Sequence, residues 1–543
     1  MTSPAAELLD GVVARPQAEI ERYRELGVYV GKSIFWLLEE GRRLRPEHIA
    51  IVSDGRRVSY RELLERVERK AAGYRALGLR PLDRAVLQLP NGLAWVENFF
   101  ALQRLGCVPI LALPGHRAAD LRYFCEHTEA SAYIAARRLG GFDVAPLARE
   151  LAPWLKGPRL VVLAGEKTAD AFVCEAEVTA EPLAAEDLPE VPAGQIALLQ
   201  LSGGSTGTPK LIPRTHDDYL YSVRRSAEVC ELGPESIYLA ALPVAHNFPL
   251  SSPGLLGILA VLGTVVLAPS PNPDAVFPLL RDEHVTITAA VPSLARAWLE
   301  ATQARAERFP HLRVLQVGGA RLEDDLARRL IEVLGCTLQQ VFGMAEGLVN
   351  YTRLGDSLEL LTTTQGRPMS PYDELRIVDE QDVEVSPGTA GHLQTRGPYT
   401  VRGYYRAEAH NARAFTADGF YRTGDIVRQV PSGHLVVTGR AKEQINRAGE
   451  KVAPAEVEEQ LLRHDLIREA AVVGVPDKLV GERVVAFLRI DSEAKLRQPE
   501  VVAFLREQGL ATFKIPDRIV FLAELPKTSV GKIDKTALTL RPQ

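Results

Sequence analysis

Short apolar runs joined by helix-patterned segments recur along most of the chain. DRAVLQLPNG, beginning at Asp83, is an apolar run closed by a Pro-Asn-Gly turn. LAWVENFFALQRLG then places apolar residues at helical spacing, and CVPILALP is a second apolar run, so the stretch predicts strand, helix, strand. The same alternation returns in SIYLAALPV (236–244), in LLGILAVLGTVVLA (255–268) read as a core helix and a strand, and in VTITAAVP (285–292). It returns once more in LRVLQVGGARLEDDLARRLIEVLGCTLQQVFG, where Leu322, Leu326, Leu330 and Leu334 repeat every four residues and Gly335 ends the helix. Strands that are apolar throughout belong to sheets covered on both faces, so a mostly parallel, helix-covered α/β fold is expected.

The texture changes after about Thr400 to short strands and turns, ending in the charged stretch GRAKEQINRAGEKVAP (439–454). A domain boundary is placed there, giving a large domain over residues 1–440 and a small α+β domain over 441–543. The small domain reads as a helix (AEVEEQLLRH), strands AAVVGVP and RVVAFLRI, a helix around VVAFLREQG, a strand in DRIVFL, and the tail PKTSVGKIDK.

Composition narrows the function classes. With 543 residues and 46% hydrophobic content the chain can bury a large core. Lys and Arg total 64 against 69 Asp and Glu, a net charge of -5, so there is no basic surplus to suggest a nucleic acid or an anionic membrane as partner. Five dispersed cysteines without a metal motif read as reduced thiols in a cytoplasmic protein. The N-terminus lacks an export signal, and the longest apolar run falls short of the ~20 residues that a membrane span needs.

LSGGSTGTPK (201–210) combines glycines, hydroxyls and a lysine directly after the strand-like IALLQ. Such a loop can cradle phosphate oxygens, yet it breaks the Walker pattern, because Thr208 and Pro209 occupy the positions five after Gly203 and Gly204, where that pattern needs glycine, and Leu211 follows Lys210. Gly318 and Gly319 follow LRVLQV, where they either admit a flat ring or make a tight strand-to-helix turn. Glu346 in VFGMAEG is either a single carboxylate for Mg²⁺ or an exposed loop glutamate. Asp425, in YRTGD, is placed on a turn, where it either accepts from ribose hydroxyls or caps the turn.

In order, LSGGSTGTPK, ALPVAHN, VGGA, VFGMAEG, YRTGD, GRAKEQINRAGEK and a terminal GK resemble the motif series of the adenylate-forming superfamily, from near Val30 to the C-terminus. LSGGSTGTPKLIPRTHDDY, AHNFPLSSPG, QQVFGMAEGLVNYT and TQGRPMSPYDE further resemble the stand-alone aryl-acid ligases of siderophore biosynthesis, the 2,3-dihydroxybenzoate-AMP ligases. The resemblance implies a large domain of helix-covered, mostly parallel sheets plus a distorted barrel, and a small mobile α+β lid. It also implies a two-step reaction, in which ATP and an aryl acid give acyl-adenylate and pyrophosphate and the acyl group then passes to the phosphopantetheine thiol of a separate aryl carrier protein.

By the same resemblance, Lys532 bridges the acid carboxylate and the α-phosphate, and Ser202, Gly203, Ser205, Thr206, Gly207 and Lys210 hold the β- and γ-phosphates, with Glu346 on Mg²⁺. Gly318, Gly319, Ala320 and the stretch Val341, Phe342, Gly343, Met344, Ala345 line the nucleotide, while Asp425 and Arg440 fix the ribose. Lys442 is the hinge and Gly449 lies on the loop brought to the thiol tunnel, in an Ala448-Gly449 pair where relatives often have two glycines. His246 sits beside the substrate carboxylate, Asn247 faces an ortho hydroxyl, Ser252 pairs with a 3-hydroxyl, and Phe248 and Val349 complete the pocket. Ser252 favours 2,3-dihydroxybenzoate, whereas Phe248 is familiar from salicylate enzymes; salicylate and 3-hydroxypicolinate stay open, as does an aryl-CoA ligase.

Overall fold

Six parallel strands form the spine of a nine-stranded sheet: Thr337–Gly343, Val314–Gly318, Ile287–Ala290, Ile237–Ala240, Thr264–Leu267 and Ile49–Ser53, in that spatial order. Antiparallel strands close its two edges. The computed structural model describes residues 9–165, 172–184, 187–202, 209–440, 444–490, 496–526 and 533–539. A second, seven-stranded sheet is parallel except for the strand Lys210–Thr215, which returns antiparallel to Ile196–Ser202. The expected βαβ unit is there as Arg84–Gln88, the helix Leu93–Arg104 and Val108–Leu111, with the two strands paired in parallel.

Local chemistry explains the element ends. Ser59 caps the helix Tyr60–Ala76 by accepting from the Glu62 amide, and Thr215 with Asp218 forms a capping box on the helix His216–Val229. Gly335 ends the helix Asp324–Leu334 at φ +64°, a left-handed turn that favours glycine. Leu326 and Leu330 of that helix are buried against the nine-stranded sheet together with Leu322, which precedes it.

The antiparallel part begins earlier than expected. Residues from Glu374, not from about Thr400, form a four-stranded antiparallel sheet ordered Glu374–Val378, Gly391–Arg396, Tyr421–Gln429 and Leu435–Arg440. Charged residues dilute the apolar pattern of its first strand, ELRIV, which hid the change of texture. Beyond it, Ile445–Arg447, Glu450–Val452, Ile467–Asp477, Gly481–Ile490 and Arg518–Phe521 make a five-stranded sheet with its own core of Val457, Leu461, Val472, Val484, Leu488 and Leu505. No helix among the described residues is long and apolar enough to cross a membrane, and all five cysteines are free thiols.

The C-terminal sheet and its helices are seated on the rest of the molecule through a buried ion pair. Lys514 donates to Asp120 at 2.7 Å and to Glu456 at 2.6 Å, and both Lys514 and Asp120 are 3% exposed. Burial pushes the Glu456 carboxyl up to about 7 against the pull of Lys514, and Asp120 Oδ2 has no hydrogen-bond partner among the described residues. Around the pair, Thr512 N donates to Gly115 O, Ala119 N donates to Gly509 O, and the Phe513 ring meets His116 edge-on.

Two buried histidines predict an acid-sensitive fold. His116 Nδ1 accepts from the Leu113 amide and His216 Nδ1 accepts from the Ile34 amide; burial lowers the two rings to about 4 and about 3. Both groups are depressed in the folded state, so the unfolded chain takes up more protons below its ordinary pKa of about 6.5, and stability falls as pH drops from there. His216→Asn keeps an acceptor for the Ile34 amide and removes one titration. Between pH 6.5 and 5 the wild type is expected to lose ~1.6 kcal/mol relative to this variant, read from thermal unfolding, and parallel pH curves would contradict the assignment.

Candidate active site

A cavity of about 1050 Å³ opens at the C-terminal ends of the parallel strands, where α/β sheets gather ligands. Its floor comes from the ends of Val314–Gly318 and Thr337–Gly343, one wall from residues 246–252, and another from the antiparallel strand Tyr421–Gln429. The C-terminal lobe supplies the remaining side with Gln444, Asn446, Gly449, Lys451 and Glu482.

Ser202 and Lys210 face each other in strand register, and the Lys210 amide donates to Ser202 Oγ at 3.2 Å. Both line the cavity, while Gly203, Ser205, Thr206 and Gly207 between them lie outside the described residues. Glu346 is buried at the cavity wall, and its carboxylate accepts from Tyr404 Oη at 2.7 Å; Tyr404 Oη in turn is 2.9 Å from Tyr421 Oη. Burial raises its pKa, opposed by the Tyr404 hydroxyl and by the nearby Lys210 charge. It is therefore not an exposed loop glutamate. The Ala345 carbonyl beside it accepts from Arg214 Nη1 at 2.9 Å.

Gly319, Ala320, Val341, Phe342, Gly343, Met344, Ala345 and Val349 line the cavity as expected. Gly318 does not: it ends the strand, and a Cβ there would stand 2.7 Å from Val341 O and 3.2 Å from the Phe248 ring, so this glycine makes room for Phe248 instead. Gly319 carries the turn, at φ +85°. Asp425 also departs from expectation, because it lies within the strand Tyr421–Gln429 rather than on a turn, one residue after Gly424 at φ +76°. It lines the cavity, its amide donates to Thr423 Oγ1, and its register partner is Arg440, whose side chain lies outside the described part. Lys442 and Lys532 lie outside the described residues as well. Ile533, next in the chain, packs against the cluster of Ala471, Val473, Val485, Phe487, Leu525 and Leu538, none of which lines the cavity.

The acid-side residues converge on a short helix, Asn247–Ser251. His246 caps it, with Nδ1 accepting from the Phe248 amide at 3.3 Å. Burial, helped by the Lys451 charge, lowers His246 to about 4, so its imidazole is neutral at pH 7. Asn247 Oδ1 accepts from Tyr219 Oη at 2.9 Å and from Ser251 Oγ at 3.1 Å. Ser252 ends the helix and is buried, lining the cavity with Phe248 and Val349. Behind them Arg214, itself buried, donates Nε to Asp218 at 2.6 Å and lies 4.8 Å from the Tyr219 ring centroid, a cation–π contact.

Sequence reading missed Tyr404, Tyr219, Arg214 and Lys451. Lys451 Nζ donates to Gly319 O at 2.7 Å and to Asn446 Oδ1, tying the C-terminal lobe to the cavity floor. It stands inside the charged stretch read as a boundary, where one lysine among several gave no signal. Between Arg447 and Glu450 the Ala448-Gly449 pair makes a two-residue turn with both φ values positive, +51° and +91°, the pattern of a type I′ hairpin. Alanine thus adopts the conformation that the missing glycine would have taken freely.

A family model described as "AMP-binding enzyme" matches residues 38–405, and one described as "AMP-binding enzyme C-terminal domain" matches residues 456–532. The chain belongs to the AMP-binding enzymes, the adenylate-forming superfamily to which its motif series points. Within it, a 2,3-dihydroxybenzoate-AMP ligase of Bacillus subtilis (strain 168) is 53% identical over 98% of this chain and 97% of its own length. A salicyl-AMP ligase / salicyl-S-ArCP synthetase of Mycobacterium tuberculosis is 44% identical over 98% of this chain and 94% of its own. The apo structure of MbtA from Mycobacterium smegmatis superposes with a TM-score of 0.74 at 44% identity, covering 97% of this chain and 98% of that one.

Gly449 offers a direct test of how the lobe is seated. A Cβ there would stand 2.7 Å from Val291 Cγ1, and the positive φ penalises any side chain. Gly449→Val is expected to unseat the hairpin and raise hydrogen exchange around Val291 and Gly319; unchanged exchange in both segments would speak against this contact.

Proposed function

We propose that this enzyme activates an aryl carboxylic acid with ATP, giving an aryl-adenylate and pyrophosphate, and transfers the aryl group to the phosphopantetheine thiol of a separate aryl carrier protein. The observation that carries this reading is the inner end of the cavity, where a neutral His246, an oriented Asn247 amide and the Ser252 hydroxyl stand among Phe248 and Val349. Such a pocket fits a flat ring bearing a carboxylate and adjacent hydroxyls, and a fatty acid would leave its polar groups unpaired. The leading acid is 2,3-dihydroxybenzoate, supported by Ser252 and by the 53% identity to a ligase of that name. Salicylate is the second reading, supported by Phe248 and by the mycobacterial relative. 3-Hydroxypicolinate and an aryl-CoA ligase are more distant alternatives.

In the first step the acid carboxylate attacks the α-phosphorus and pyrophosphate leaves. Negative charge grows on the α-phosphoryl oxygens, and we assign Lys532 as the cation that stabilises it, a role typically worth ~10²–10³ in rate. Ser202, Gly203, Ser205, Thr206, Gly207 and Lys210 are assigned to the β- and γ-phosphates, Gly319, Ala320 and residues 341–345 to the base, and Asp425 with Arg440 to the ribose. Glu346 is a single buried carboxylate backed by tyrosine hydroxyls, a donor set that suits Mg²⁺, which takes few protein ligands. Bound there, Mg²⁺ would neutralise charge on the departing pyrophosphate. We place the lobe division at 1–440 and 441–543 with Lys442 as pivot, so that Lys532 serves the first step and the Gly449 hairpin the second. The free cysteines support a reducing cytoplasm as the compartment.

Lys532→Ala is expected to abolish acid-dependent ATP–pyrophosphate exchange and to leave nucleotide binding largely intact; undiminished exchange would refute the lysine's role. Exchange measured across benzoate, salicylate, 2,3-dihydroxybenzoate, 3-hydroxypicolinate and a fatty acid is expected to peak with 2,3-dihydroxybenzoate. A fatty acid as best substrate would overturn the aryl-acid reading.

A further inference from the structure

Asn247 lines the cavity with its carbonyl oxygen held by Tyr219, a residue that does not line the cavity. Tyr219 sits in the helix His216–Val229, fully buried, with the Arg214 guanidinium over its ring. Gln200 Nε2 donates to Tyr219 Oη at 3.3 Å, which leaves the phenolic proton to go to Asn247 Oδ1 at 2.9 Å. Ser251 Oγ reaches the same Oδ1 at 3.1 Å and the Asn247 carbonyl at 3.0 Å. The Tyr219 hydroxyl therefore occupies the carbonyl end of the amide, while the single Ser251 proton is shared between Oδ1 and the main-chain carbonyl. Nδ2 has no hydrogen-bond partner among the described residues, and Asn247 lines the cavity.

We propose that Tyr219 is a positioning residue for acid selection: by holding the carbonyl oxygen of Asn247 it turns the amide NH₂ into the pocket, so that the site demands a hydrogen-bond acceptor on the ring carbon next to the carboxylate. The inference rests on the aryl-acid reading and adds to it the polarity of the ortho group. An ortho hydroxyl meets the demand. Its proton is held by the neighbouring carboxylate within the substrate, and the oxygen lone pair points outward to the amide. An ortho amino group has nearly the same size and the opposite character. One N–H bonds the carboxylate, the other points at the Asn247 NH₂, and the nitrogen lone pair is delocalised into the ring. Donor then faces donor in a buried site, and both are left unpaired.

The test compares salicylate, 2-aminobenzoate and benzoate in ATP–pyrophosphate exchange by the full-length enzyme. The wild type is expected to favour salicylate over 2-aminobenzoate by about 10²-fold in kcat/KM. In Tyr219→Phe the amide keeps only the shared Ser251 proton at its carbonyl end and can turn over, and the ratio is expected to fall below about tenfold, with salicylate losing and 2-aminobenzoate gaining. Benzoate has no ortho group, so its kcat/KM should stay within about twofold. Asn247→Ala should collapse the ratio in the same way, and adding Tyr219→Phe to it should change the ratio no further, because Tyr219 acts through Asn247. An unchanged ratio in Tyr219→Phe, or independent effects in the double variant, would overturn the proposal. A wild-type ratio near one would overturn the orientation of the amide. Failure of every ortho-hydroxy acid to support exchange with the wild type would instead bring down the aryl-acid reading, and this inference with it.

Discussion

The ammonium group of Lys514, buried between Asp120 on one side and Glu456 on the other, fixes where the C-terminal lobe sits. Buried ion pairs contribute little net stability, because desolvation offsets most of the attraction, but separating them is costly. The pair therefore acts less as glue than as a register mark, making this seat distinct from near neighbours. From it follows what the lobe offers the cavity: the Gly449 hairpin against Val291, and Lys451 bonded to the Gly319 carbonyl. A lobe that swings must give Lys514 water or new partners when it leaves.

Burial sets the charge state of two groups that line the cavity. It drives the His246 imidazole neutral and holds the Glu346 carboxyl above its ordinary range, each change disfavouring a bare charge in a dry place. Lys210, on the strand Lys210–Thr215, and Lys451, on the C-terminal lobe, line the cavity together with Arg321, Arg413 and Arg422. Six carboxylates, those of Glu346, Asp379, Glu380, Asp382, Asp425 and Glu482, line the same cavity, so its charges are of mixed sign.

Much of this was legible in the chain because the relevant signals are local. Apolar runs separated by helical spacing gave the parallel sheets, and glycine-rich segments at strand ends gave the cavity floor. What escaped reading depends on packing across long sequence separations. Gly318 looks like Gly319 in sequence, yet only the Phe248 ring pressed against it shows that it makes space instead of lining the site. Asp425 reads as a turn residue because Gly424 precedes it, and only pairing with the strand Leu435–Arg440 keeps it extended. Tyr404 and Tyr219 lie in stretches with no motif of their own, and they matter through hydroxyls that meet Glu346 and Asn247, 58 and 28 residues away.

Arg214 touches both halves of the chamber at once: its guanidinium holds the carbonyl beside Glu346 and underlies the ring of Tyr219. Descent with modification in such an enzyme is then constrained in an uneven way. Ser252 and Phe248 line the cavity itself, and a change at either alters the pocket directly. A change in the packing under Tyr219 would be felt in the same stroke at the Ala345 carbonyl beside Glu346. Substitution at the pocket lining should thus retune the diet alone, whereas substitution at Arg214, the shared buttress, should disturb both halves together.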